Sequence, residues 1–196
     1  MKKFTFLLSI ILLVNAGSLF AQTDQETVNF TAILETVINL NIESGGDQTA
    51  TFNTPDTYNF GIDAVGTTEI TVESTSDWNM TISAPDFTDG GAAIIPINNL
   101  GVWCEATGAH TFGNEVSTNF DVLANSCGIT TNNQTLIDNS GGNSGDATDN
   151  AFNLNWTMGT MNNTMNPNSI FDQLSNGTIA NIGTFTTTVT LTVTGL

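Results

Sequence analysis

The feature that most constrains the fold of this chain is a two-residue alternation, plainest in GTFTTTVTLTVTGL, residues 183–196. Phe185, Thr187, Val189, Leu191 and Val193 share one parity, and the other parity is threonine from Thr184 to Thr194. Side chains of a strand alternate between its faces, and β-branched residues suit a pleated surface. The segment is therefore predicted to be a strand with Phe185, Val189, Leu191 and Val193 in the core and the threonines outward.

The same period recurs upstream. Ile70 and Val72 alternate with polar neighbours, Trp78, Met80 and Ile82 share a parity in DWNMTIS, and Phe152, Leu154, Trp156 and Met158 share one in AFNLNWTM. Trp78 and Trp156 are thus expected in the core. Residues 28–42, VNFTAILETVINLNI, read as one long strand or as two with a bend, and TYNFGI as a short aromatic strand. Pro96 inside residues 92–104 implies an edge strand or a bend. Further strand signals lie in STNFDVLA and CGITTNNQTLI, and one short helix is expected over residues 169–174. Turn-forming stretches separate these runs, among them SGGD at 44–47 and DNSGGNSGDATDN at 138–150. Many short strands joined by polar turns predict an all-β fold: a single antiparallel Ig-like or pilin-like β-sandwich, with residues 87–150 as a loop-rich elaboration at one end.

The N-terminus has the pattern of an export signal. Lys2 and Lys3 precede the apolar run FLLSIILLV, which is too short to span a bilayer, and Ala21 suits cleavage. Residues 1–21 are predicted to be a signal peptide and 22–196 the mature domain. The expected destination is extracellular, the outer cell surface or the periplasm. No lipid-anchor cysteine lies near the cleavage point and no sorting segment follows Leu196. The expectation is release or non-covalent attachment, without membrane insertion.

Removing the signal also removes every lysine and arginine, because the chain's 2 Lys+Arg are Lys2 and Lys3, while its 19 Asp+Glu all lie beyond residue 21. Such a chain has no ordinary side-chain ion pairs apart from those of His110. Each carboxylate must be solvated, accept hydrogen bonds or meet an external cation. Nucleic acid and anionic membranes, which are recognised by cationic side chains, are disfavoured.

Two cysteines in an exported chain predict a Cys104–Cys127 disulfide. A structural calcium site is a candidate at Asp138, Asp146 and Asp149, whose hard oxygens are what calcium takes. A solvated acidic loop is the alternative, and the spacing does not follow an EF-hand. No other cofactor is implied. Trp103, beside Cys104, is the candidate ligand-binding residue, able to stack on a sugar ring; packing on the cysteine pair is its alternative role. His110, Asp121 and Ser144 occur in the order of a protease triad, but all lie within one short polar region, unlike a two-barrel protease scaffold. The motifs GxSxG and HExxH are absent. The chain is therefore expected not to be an enzyme.

Three segments resemble known families. TPDTYNFGI resembles the short aromatic-Phe-Gly strand of fimbrial and spore-coat-protein-U-like domains. DWNMTISAPDF resembles the first motif of WxL surface domains, with Met80 in the leucine position; the second tryptophan motif, due near Leu191, is absent. GTFTTTVTLTVTGL resembles the closing strand of all these groups. The resemblance implies an exported, non-enzymatic pilin-like or coat-like bacterial surface module, structural or adhesive. Expected partners are other extracellular or cell-surface proteins or glycans, with self-assembly through residues 23–42 as one route. A carbohydrate- or calcium-dependent binding module is the alternative.

Overall fold

The computed structural model describes Glu26 and residues 28–92 and 94–196. The predicted signal peptide and its cleavage point lie outside the described residues. The chain falls into two units, Met1–Leu34 and Glu35–Leu196. In the first, Glu26 and residues 28–34 carry no regular secondary structure. No helix among the described residues is long and apolar enough to cross a membrane.

The second unit is all-β and antiparallel. Its strands are β1 (Ile38–Ser44), β2 (Ile62–Ser74), β3 (Trp78–Ser83), β4 (Phe87–Thr88), β5 (Ile94–Ile95), β6 (Leu100–Ala106), β7 (Val116–Ser117), β8 (Cys127–Gly128), β9 (Gln134–Asn139), β10 (Ala151–Met158) and β11 (Thr190–Gly195). Two short helices, α1 (Pro55–Phe60) and α2 (Ile170–Ser175), complete it. One sheet has five strands in the order β1-β2-β10-β6-β8, another has four in the order β11-β3-β9-β7, and β4 and β5 form a small ribbon. The segment between Phe87 and Asn150 carries β6 and β8 of the first sheet and β7 and β9 of the second. Its loops therefore join strands of the sandwich itself.

The alternation read from sequence becomes the core. Ile70, Val72, Val102, Phe152, Leu154 and Trp156 of the five-stranded sheet form one buried cluster with Trp78, Met80, Ile82, Leu136 and Ile137 of the four-stranded sheet. Trp78 and Phe152 meet edge to face across the gap, ring centroids 6.0 Å apart. Burying each such side chain stabilises the fold by roughly 1.5–3 kcal/mol. Both expected core tryptophans are in place, and each indole N–H has a partner. Trp78 Nε1 donates to the Asn143 carbonyl and Trp156 Nε1 to Thr68 Oγ1, at 2.9 and 2.8 Å.

Three local expectations are revised. The regular closing strand starts at Thr190, and it lies at the edge of its sheet, paired only with β3. Val189, Leu191 and Val193 consequently pack against the core while staying half-buried; Phe185, before the strand, is half-buried outside the core cluster. The opening strand is shorter than residues 28–42, because its partner β2 ends at Ser74, opposite Ile38. TYNF is helical: Thr54 and Thr57 form a capping box and Pro55 supplies the first turn, an arrangement that starts helices. The helix expected at 169–174 is present one residue later, with Ser169 as its N-cap. A buried reciprocal amide pair anchors it, Asn99 Nδ2 to Gln173 Oε1 at 3.0 Å and Gln173 Nε2 to Asn99 Oδ1 at 2.7 Å.

Candidate functional site: the outer face of the five-stranded sheet

Where one parity of β2, β6 and β10 builds the core, the other builds an outer face. Register sets Trp103 of β6 directly opposite Asn155 of β10, and Asn155 opposite Thr67 of β2. The next row along is Glu105, Asn153 and Glu69. Side chains so placed are neighbours across the strands, with Cβ atoms about 4.5–5.5 Å apart. Thr67 Oγ1 donates to Asn155 Oδ1 at 2.8 Å, and Asn153 Nδ2 to Glu105 Oε2 at 3.4 Å. At one end Thr164 and Met165 cross so close over Gly128 and Gly101 that a side chain at either glycine would collide with them. Trp103 is the next outward residue of β6.

Trp103 is half-buried and differs from the other two tryptophans in its indole N–H, which has no hydrogen-bond partner among the described residues. Asn155 Nδ2 is enclosed and also unpartnered, the one buried side-chain polar atom so placed among the described residues. An enclosed donor without an acceptor costs about 1–3 kcal/mol.

The other predicted site residues are arranged differently. Cys104 and Cys127 are both buried, and no disulfide joins them in this structure. Cys127 lies opposite Val102, so Cys104 is its diagonal neighbour. Such pairs stand about 7–8 Å apart, whereas a disulfide spans roughly 4.4–6.8 Å between Cα atoms. The Gln134 side-chain nitrogen lies against Cys127 Sγ and also donates to the Gly128 carbonyl at 3.1 Å. Burial pushes the Cys127 thiol up to about 12. Burial, and then the neighbouring Cys127, push Cys104 higher still.

The three candidate calcium ligands are not brought together, and among the described residues no group of three His, Cys, Asp or Glu could hold a metal ion. Asp138 lies on β9 opposite Ser117. Asp146 accepts from the backbone N–H of Thr148 and Asp149 at 2.7 and 3.2 Å, which holds its carboxyl below the ordinary carboxylate value. Asp149 Oδ2 in turn accepts from the Asp146 N–H at 3.3 Å. The acids close their own turn. His110 belongs to the same framework: Asn150 Nδ2 donates to the Asn143 carbonyl at 3.1 Å, so Asn150 Oδ1 accepts the Nδ1 proton of His110 at 2.9 Å.

One surface feature escaped the sequence reading. Phe52, Tyr58, Phe171, Leu174 and Ile182 line an open cleft of about 530 Å³ between α1 and α2. The helix-start signal Thr54-Pro55 was there to be read, but the aromatic spacing of TYNF reads equally well as a strand.

Comparison with known protein families finds no family that matches the chain, and a search of curated proteins finds no match.

Proposed function

We propose that this chain is a non-enzymatic, exported module of the bacterial exterior that works through its sandwich surfaces as a structural or adhesive unit, in the manner of a fimbrial or coat-like subunit. The observation that carries this reading is the outer face of the five-stranded sheet. It is an open surface of regularly spaced Asn, Thr and Glu side chains around one half-exposed tryptophan, held by a hydrogen-bonded ladder. Binding groups held on a rigid sheet lose little conformational freedom when a partner docks. The absence of lysine and arginine beyond Lys3 directs the module toward neutral or cationic partners. The test is fractionation with surface labelling of the producing cells. The expected result is processed protein accessible from outside the cell. Uncleaved protein in the cytoplasm would overturn the reading.

A specific observation favours self-assembly as the mode of action. Val28, Phe30, Ile33 and Leu34 are 75%, 92%, 80% and 95% exposed, an apolar run carrying no secondary structure of its own. An extended apolar run of this kind can complete the sheet of another copy. Size-exclusion chromatography and negative-stain imaging are expected to reveal polymers that disappear when residues 23–34 are deleted; monomers alone in both forms would count against assembly.

A further inference from the structure

We propose that the Trp103 face is a binding site for a neutral saccharide. This rests on the reading of the domain as a surface module and is independent of whether copies assemble.

The argument starts from the unequal treatment of three tryptophans. Trp78 and Trp156 are buried and their N–H groups are spent on Asn143 and Thr68. Trp103 lies on the opposite parity, partly buried, with no hydrogen-bond partner for its N–H among the described residues. An indole of this kind offers an apolar face with a polar edge. A sugar ring is matched to that: its C–H groups lie on the indole face while its hydroxyls turn outward to polar neighbours.

The neighbours supply both halves of the required hydrogen bonding. Asn155 Nδ2 is an enclosed donor without a partner, Trp103 Nε1 makes no hydrogen bond among the described residues, and Glu105 and Glu69 are exposed acceptors in the adjoining row. A hydroxyl both donates and accepts, so it satisfies either kind, including the Asn155 amide whichever way that amide is turned. Asn155 Nδ2 is enclosed, so a ligand reaches it only when a covering side chain moves. A lysine or arginine side chain has no acceptor to offer these donors. An anionic ligand meets Glu69 and Glu105 without a compensating cation. The chemistry therefore selects an uncharged polyhydroxyl ligand over a basic peptide or an acidic polymer.

The test uses the purified full-length exported protein on an array of neutral oligosaccharides of glucose, galactose, mannose and N-acetylglucosamine, with lysine-rich peptides as a comparison, followed by calorimetric titration of each hit. Binding to at least one saccharide series is expected. Trp103→Ala is expected to weaken it at least about tenfold, in line with the loss of a stacked aromatic contact. Trp103→Phe should keep part of the affinity, and Asn155→Ala should weaken it while raising or preserving the melting temperature. Circular dichroism and melting curves identify any variant that fails to fold, and Trp103→Phe then carries the comparison. Absence of binding to every neutral series, binding unchanged in Trp103→Ala, or preference for the lysine-rich peptides would each overturn the proposal. Assembly is measured separately by size exclusion, so failure here is distinguishable from failure of the surface-module reading.

Discussion

The side-chain amide of Asn143 pairs with both backbone polar groups of Trp78. Its Oδ1 accepts from the Trp78 N–H and its Nδ2 donates to the Trp78 carbonyl, each at 2.9 Å, and its own carbonyl accepts from the Trp78 indole at 2.9 Å. One residue thus does the work of a short strand beside β3. Two residues later, Gly145 exchanges two backbone hydrogen bonds with Ser74 at the end of β2, both 2.9 Å. The loop between β9 and β10 therefore ties the two sheets together where the chain turns from one into the other. Asn143 and Asn150 are fully buried in it.

Replacing Asn143 by alanine leaves the Trp78 N–H and carbonyl unpaired in the interior. The expected loss is about 2–4 kcal/mol, within the range for breaking a buried hydrogen-bond network. Asn143→Asp retains the acceptor but loses the donor and buries a charge, so it should also destabilise. Urea unfolding followed by tryptophan fluorescence checks both. A change below about 0.5 kcal/mol in Asn143→Ala, the level of an ordinary surface substitution, would contradict the assigned role.

Legibility from sequence followed the physics of burial. Where one face of a strand is sealed and the other open, parity is written into the residues, and Phe152, Leu154, Trp156, Trp78, Met80 and Ile82 were read correctly for that reason. Val189, Leu191 and Val193 were placed on the right face, but their half-burial depends on β11 being an edge, which pairing decides and local pattern does not. The loop at 138–150 looked solvated because Gly, Ser, Asn and Asp dominate it. Nothing local says that Asn143 would reach Trp78, 65 positions away in sequence. Trp103 is the tryptophan outside the buried core, and its cross-strand neighbours Asn155 and Thr67 come from distant strands. That strand register sets Cys104 and Cys127 on a diagonal between β6 and β8 is likewise invisible in their spacing.

Acid should destabilise the domain in a defined window. Thr111 N–H donates to Glu115 at 3.1 Å and Thr148 and Asp149 donate to Asp146, so both carboxyls are held below their ordinary values of 4.5 and 3.8. A carboxyl depressed in the folded state contributes stability that is complete above its unfolded value and is lost as pH falls through its folded value. In that window the unfolded chain binds more protons than the folded one. Stability is therefore expected to be level from about pH 5 to 7 and to fall below about pH 4. Glu115→Gln and Asp146→Asn should each flatten the acid limb of the melting-temperature profile, and an unchanged slope in both would contradict the assignment.

Cations should act on this chain as screening charge. Beyond Lys3 the 19 carboxylates face no lysine or arginine, and His110 is the one histidine. Self-repulsion is then relieved as ionic strength shortens the Debye length, from about 10 Å at 0.1 M to about 3 Å at 1 M. Sodium chloride is expected to raise the melting temperature. Calcium and magnesium should act alike at matched ionic strength, since Asp138, Asp146 and Asp149 are not gathered into a cage. A calcium-specific rise, reversed by chelator, would restore the calcium site.

The thiols should be silent in the native protein. Cys104 and Cys127 are both buried, and burial raises both thiols well above the ordinary 9.0, so the reactive thiolate is scarce at neutral pH. An aromatic disulfide reagent such as DTNB added to native protein is expected to react slowly, at a rate set by opening of β8 away from β6, and to modify both cysteines at once in denaturant. The strand β8 is two residues long and pairs with β6 only through Gly101–Gly128 and Val102–Cys127. Cys127 should therefore be modified first when opening is local. Gln134→Ala, which removes the amide against Cys127 and its bond to the Gly128 carbonyl, should speed that first reaction and leave the rate at Cys104 unchanged. The unreduced mass should be that of two thiols. A mass lower by two hydrogens, with no reagent uptake in denaturant, would mean that β6 and β8 shift to close the bond the present register keeps open.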